Sequence, residues 1–115
     1  MAQMKLSIII VDYNSNDQIK ACLSSILKFK PDLDFEIIIV DNASPKSHLE
    51  DYEKISDKVR TFRLERNLGF GSGNNFGARQ AKGEYLLLLN PDTLTVDDSI
   101  QKWKHSQKRT PRLAP

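Results

Sequence analysis

Three aspartates stand where apolar runs give way to turn residues. Asp12 follows Ser7-Ile-Ile-Ile-Val11, Asp41 follows Ile37-Ile-Ile-Val40, and Asp92 follows Leu86-Leu-Leu-Leu-Asn-Pro91. A single carboxylate in such a place serves as a turn or capping residue as readily as a ligand group. Three that converge repel one another unless a cation or donor hydrogens are present. Asp92, just beyond an apolar strand, is expected to face a metal and a phosphate, because ligands of open α/β sheets bind beyond the carboxyl ends of the strands.

A second signal is the glycine-rich stretch Gly69-Phe-Gly-Ser-Gly-Asn-Asn-Phe-Gly77. Glycines let a backbone approach a ligand closely. The dinucleotide fingerprint is not met, since Gly71 and Gly73 lack the third glycine at the required spacing. The turn after the first strand, where that fingerprint belongs, contains no glycine. A phosphoacceptor receiver would want an acidic pair after the first strand, and only Asp12 is near Val11. His48 and His105 lie in polar surroundings and read as surface residues far from the strand ends. No metal-binding Cys/His spacing and no serine nucleophile motif occur.

The elements that must position these residues follow from hydrophobic periodicity. Residues 5–11 and 35–40 are short, β-branched runs that read as buried strands. Residues 58–64 alternate apolar and polar, which predicts a strand exposed on one face or at a sheet edge. The run Gly83-Glu-Tyr-Leu-Leu-Leu-Leu-Asn-Pro91 predicts a central strand buried on both faces, with 86–89 in the core, ended by proline. Between the strands, Ile19, Cys22, Leu23, Ile26 and Leu27 recur at steps of three and four, the apolar face of a helix closed by Pro31. Asn16 or Asp17 is its expected N-cap. Ser44 and Pro45 predict the start of a short polar helix reaching about Lys54. A helix from about Gly73 to Ala81 is expected to stop at Gly83 in the left-handed C′ position. Thr95 and Asp98 resemble a capping box before an apolar stripe of Val96, Ile100 and Trp103. Alternating strands and helices predict a three-layer α/β/α domain with a mostly parallel sheet over residues 1–103, and a polar tail over 104–115.

At 115 residues the chain is enough for one small domain. Its net charge of +2 is too small to imply nucleic acid or an anionic membrane as partner. The lone Cys22 excludes an internal disulfide, fits a reducing compartment, and reads as a small core residue. No apolar run approaches the roughly 18 residues of a membrane span.

Taken in order, four motifs resemble the family 2 glycosyltransferases of the GT-A fold. They are Ser7-Ile-Ile-Ile-Val-Asp-Tyr-Asn14, Ile39-Val-Asp-Asn-Ala-Ser44, Asn67-Leu-Gly-Phe-Gly-Ser-Gly-Asn-Asn-Phe-Gly77 and Gly83-Glu-Tyr-Leu-Leu-Leu-Leu-Asn-Pro-Asp-Thr93. The Asn-Pro-Asp form is most similar to a rhamnosyltransferase-like branch. The resemblance implies a Rossmann-like nucleotide-binding half and a UDP- or dTDP-linked sugar donor. It implies that Val11 and Tyr13 contact the base, that Asp41 hydrogen-bonds the pyrimidine, and that Asn67, Gly69 and Asn75 flank the nucleotide. Asn90 stands at the first position of the family's Asp-x-Asp motif and is expected to bond a ribose hydroxyl. Asp92 matches the aspartate that holds Mg²⁺ or Mn²⁺ on the diphosphate, a role for which hard oxygen ligands are suited. Asn74 stands where many relatives carry arginine.

Inverting transfer to a hydroxyl needs a general base. In the family that base and the acceptor-binding half follow the nucleotide-binding half, and no candidate base is found before Pro115. The resemblance therefore predicts the donor-binding part of a longer, cytoplasmic enzyme of polysaccharide synthesis, peripheral to the inner face of the membrane and inactive alone. Its acceptor would be a glycan or lipid-linked hydroxyl. An exposed sheet edge would favour homo-oligomers. The alternative is a non-catalytic nucleotide- or partner-binding α/β module.

Overall fold

The computed structural model describes residues 5–29 and 34–91. Pro31, Asp92, the Thr95–Asp98 pair, Val96, Ile100, Trp103, His105 and residues 104–115 lie outside the described residues, and so do the expectations placed on them. Four strands alternate with three helices in chain order: β1 (Lys5–Asp12), α1 (Asn16–Phe29), β2 (Asp34–Asp41), α2 (Leu49–Ile55), β3 (Val59–Arg63), α3 (Phe70–Gln80) and β4 (Tyr85–Leu88). The strands form one sheet in the order β3-β2-β1-β4, with every pairing parallel. The expected α/β/α layering is present.

β1 and β2 occupy the centre because both faces of each are apolar. Leu6, Ile8 and Ile10 of β1 and Ile37 and Ile39 of β2 pack with Ile19, Cys22, Leu23 and Ile26 of α1 and Tyr52 of α2. Burying each such side chain contributes about 1.5–3 kcal/mol. On the opposite face, Ile9, Ile38, Val40 and Leu86 pack with Ala78 and Ala81 at the end of α3. Burial pushes the Cys22 thiol up to about 11, so this side chain behaves as a core hydrophobe.

α3 lies close on the sheet because its inner face carries only glycines and the small Ala78. A Cβ on Gly73 would stand 3.0 Å from both methyls of Val11, and one on Gly77 would stand 2.6 Å from Ile9 Cγ2. The glycine stretch is therefore mainly helix, starting at Phe70 rather than Gly73, and two of its glycines serve helix-to-sheet contact. Gly83 is likewise a close-approach residue. Its Cβ would meet Ser7 N at 2.8 Å and Lys5 O at 2.9 Å. Among the described glycines only Gly69 has a positive φ, so Gly83 is not a left-handed cap.

Three more expectations change. α2 starts at Leu49, not after Ser44, because the Ser44 hydroxyl accepts the Asn14 N–H instead of capping a helix. α1 begins at Asn16 itself, with the Ser15 carbonyl accepting the Ile19 N–H. β4 is not central: it is the outer strand of the described sheet, and Leu88 is 44% exposed. Leu86 alone of the four leucines is buried; Leu87 and Leu89 are half-buried. β3 is at the other edge, as its alternation predicts. No helix among the described residues is long and apolar enough to cross a membrane.

Candidate functional site

The chain runs from β1 outward to β2 and β3, then returns across the sheet to β4 on the far side of β1. That reversal places a crevice outside the carboxyl ends of the strands, the position favoured for ligands in open α/β sheets. A cavity of about 410 Å³ lies there, lined by Val11, Tyr13 and Ser15 after β1, Asn42 after β2, Asn67 and Phe70 at the start of α3, and Asn90 and Pro91 after β4. Its volume falls within the range of ligand clefts, roughly 300–1,000 Å³.

Buried beneath this cavity are two carboxylates. Asp12 and Asp41 are register partners at the ends of β1 and β2, and both are buried. Donor hydrogens resolve their repulsion. Asp12 Oδ1 accepts the Ser15 N–H (3.0 Å), and the single Tyr52 hydroxyl proton is shared between Asp12 Oδ2 (3.2 Å) and Asn16 Oδ1 (3.0 Å). Asp41 Oδ1 accepts the Ser44 N–H (2.9 Å), and Oδ2 is paired with the Arg63 guanidinium, which also donates to the Ser44 carbonyl. Burial raises the Asp12 carboxyl above the usual aspartate range, and the nearby Asp41 charge adds to this. The Ser15 and Tyr52 bonds and the charge of His48 act in the opposite sense. His48 is half-buried at the start of α2, with Nδ1 3.6 Å from Asp51 Oδ2. Tyr52, buried beside Asp12, has its phenol pushed upward by desolvation and then by that carboxylate.

These bonds fold the loops that carry the cleft. Each aspartate draws the backbone three residues on into a tight turn, and each turn holds one non-glycine residue in the left-handed region, Asn14 (φ 53°) and Ala43 (φ 62°). The turns are tied together by the Asn14 N–H to Ser44 Oγ (2.8 Å) and the Asn42 N–H to the Asp12 carbonyl (2.8 Å). The Asn42 carboxamide then bridges to the third wall. Its Oδ1 accepts the Leu68 N–H (3.1 Å) and its Nδ2 donates to the Gly69 carbonyl (3.0 Å). Gly69 takes φ 92°, which only glycine adopts without strain, and Phe70 follows as the first residue of α3.

Of the residues expected to meet a nucleotide, Val11, Tyr13, Asn67 and Asn90 come together on the cavity. Asp41 does not: it is fully buried with both oxygens engaged below, and its neighbour Asn42 lines the cleft instead. Gly69 and Asn75 are also not among the lining residues, and Asn74 is buried within α3. Asn42, Ser15, Phe70 and Pro91 were missed as lining residues. Asn42 directly follows Asp41 and Phe70 directly follows Gly69, so each lies within a motif of the sequence. A divalent cation needs several oxygen donors. Among the described residues no three His, Cys, Asp or Glu side chains converge, so these residues alone do not make a cation site.

The model of the family described as Glycosyl transferase family 2 matches residues 7–112. The chain belongs to glycosyl transferase family 2. Over 110 residues it is 36% identical to the poly(ribitol-phosphate) beta-glucosyltransferase of Bacillus spizizenii, covering 91% of this chain and 17% of that protein. The solved structure of Staphylococcus aureus TarS 1-349 in complex with UDP-GlcNAc superposes with a TM-score of 0.76 at 30% identity, covering 89% of this chain and 30% of that one. The mannosyltransferase PcManGT of Pyrobaculum calidifontis, in complex with GDP-Man and Mn²⁺, shares the fold at a TM-score of 0.75 and 20% identity. This family 2 chain spans between 17% and 39% of the length of such curated relatives. Its three-layer parallel architecture is the GT-A arrangement of these neighbours.

Proposed function

We propose that the cleft binds the nucleotide of a UDP- or dTDP-linked sugar, and that the region is the donor-binding part of an inverting glycosyltransferase. The observation that carries this is the convergence of Val11, Tyr13, Asn67 and Asn90 on one cavity at the reversal of strand order. Likeness to a TarS structure holding UDP-GlcNAc supports a uridine nucleotide. A rhamnosyltransferase-like placement within the family rests on the Asn90-Pro91-Asp92 form.

In the proposed reaction an acceptor hydroxyl oxygen bonds to the anomeric carbon from the face opposite the diphosphate. The bond from that carbon to the diphosphate breaks, the nucleoside diphosphate leaves, and the hydroxyl proton passes to a base. Neither Asp12 nor Asp41 serves as that base, because both are buried beneath the cleft, out of reach of an acceptor hydroxyl. The described residues hold and orient the donor: Tyr13 presents a half-exposed ring, and Asn67 and Asn90 line the cleft beside it. Asp92, next in sequence after Pro91, is proposed to hold Mg²⁺ or Mn²⁺ together with the donor's diphosphate oxygens; such an ion offsets charge on the leaving group. We propose that acceptor binding and the base lie outside the described residues, that the enzyme works in the cytoplasm, and that the 115-residue chain alone binds donor without transfer.

Calorimetric titration of the chain with UDP and dTDP, with and without Mn²⁺, tests this reading. Saturable binding that Mn²⁺ strengthens for the wild type but not for Asp92→Ala supports it. No binding of either nucleotide overturns it, and equal Mn²⁺ enhancement in both proteins removes Asp92 from the metal role.

A further inference from the structure

We propose that Phe70 is a nucleobase-contacting residue, a second aromatic wall of the cleft besides Tyr13. This rests on the donor-binding reading above and assigns a role that the motifs leave open. Phenylalanine is among the side chains most often buried, yet Phe70 is 52% exposed, although an apolar cluster with Phe62 and Phe76 in edge contact (5.7 Å) lies along the same helix. Tyr13 is 49% exposed. The two rings belong to different elements, the turn after β1 and the first turn of α3, and both line the same cavity.

Phe70 stands on a fixed support. Asn42 holds the two residues before it, the Gly69 N–H donates to Asn67 Oδ1 (2.8 Å), and the Gly73 N–H donates to the Gly69 carbonyl (3.1 Å). Holding a ring in place before a ligand arrives lowers the ordering penalty of binding. A flat ligand with polar edges suits rings rimmed by Ser15, Asn67 and Asn90. A nucleobase has that shape, and stacking on aromatic rings accepts any base through its π-face. A phosphate gains nothing from such a ring, and a sugar could use it only through its C–H face. Phe70 therefore reads the base half of the donor and leaves the diphosphate to other groups.

The test uses the whole 115-residue chain with uridine and UDP as probes, followed by NMR and calorimetry. Phe70→Ala should weaken both by the same factor, roughly tenfold or more, the loss of one stacking contact. Phe70→Tyr and Phe70→Trp should bind close to wild type. Phe70→Leu, which keeps apolar bulk but no ring, should behave as Phe70→Ala and so guards against a folding artefact. The upfield ring-current shift of the uracil protons on binding should shrink in both ringless variants and persist in Phe70→Tyr. Wild-type affinity for uridine in Phe70→Leu overturns the aromatic contact and leaves the donor-binding reading intact, since UDP still binds. Failure of the wild-type chain to bind UDP or dTDP overturns both.

Discussion

Glu36 sits on a buried face of β2, and five groups meet there. Its Oε2 accepts the Ser7 hydroxyl (2.6 Å) and the Lys82 N–H (2.7 Å), its Oε1 accepts Arg60 (2.8 Å), and Ser7 Oγ accepts the Gly83 N–H (2.9 Å). Burial works to raise this carboxyl, but the bonds from Ser7, Lys82 and Arg60 together outweigh it and hold the group below the usual glutamate range. A lowered folded-state value means that ionised Glu36 stabilises the fold above about pH 4.3, the unfolded value, and that this stability drains away as pH falls through the lowered one. Asp12, raised by burial, has the opposite sign: its ionisation opposes the fold as pH climbs through its raised value. Glu36→Gln should lose roughly 1–3 kcal/mol at pH 7, and the gap to wild type should narrow below about pH 4, read by urea denaturation at several pH values. Asn42 is a second test. Asn42→Asp keeps the shape but turns an acceptor toward the Gly69 carbonyl, and should cost about 1–3 kcal/mol while weakening UDP binding. The strand-end aspartates were legible as turn residues or ligands from local sequence. Which of the two applies depends on Tyr52 and Arg63, 40 and 22 residues away, and no local pattern carries that.

At the level of elements, the start of α3 is hidden in the sequence for a physical reason. An amphipathic helix normally announces itself by a stripe of large apolar residues. Here the stripe is Gly73, Gly77 and the small Ala78, so the periodicity is present in size rather than in hydrophobicity. Gly77→Ala should destabilise by roughly 1–3 kcal/mol through overpacking against Ile9 and Val40. Gly71→Ala meets nothing within 4 Å and should be neutral or stabilising by up to about 1 kcal/mol. Thermal midpoints of the two variants would decide the matter, and equal losses would sink the contrast. β1 and β2 were legible because a β-branched run buried on both faces has few other places to go. β4 was overread from the same pattern: Leu88 and Leu89 extend the apolar run, but a run of leucines does not say how many strands flank it.

At the scale of the molecule, the described residues place polar networks at opposite ends of one apolar sheet. Glu36, Ser7 and Arg60 secure the amino end, and Asp12, Asp41 and Asn42 shape the carboxyl end where the cleft opens. Six residues of extended chain separate Glu36 from Asn42, about 20 Å at strand rise. Effects at that distance add within about 0.5 kcal/mol. Glu36→Gln should therefore lower stability without changing the dissociation constant for UDP, whereas Asn42→Ala should change both. The double variant should lose the sum of the two stability changes. A shared loss of affinity would show that the ends are coupled. The strand–helix alternation, the parallel sheet and the side of the sheet that carries the cleft all followed from the order of motifs. The cleft's floor did not, because it is built from long-range bonds.

The bare face of α3 has a mechanical consequence. Gly77 is seven residues from Phe70, about 10 Å along the helix axis. With only hydrogen on Gly77, the helix rests directly on Ile9 and Val40, while its Phe70 end is clamped through Asn42 at the cleft. A methyl at Gly77 acts as a shim: it lifts that part of the helix off the sheet while the Asn42 clamp holds the other end, so the helix tilts and the ring is re-aimed. Affinity for a nucleotide could then be trimmed from beneath the sheet-facing side of the helix, at a position no ligand touches.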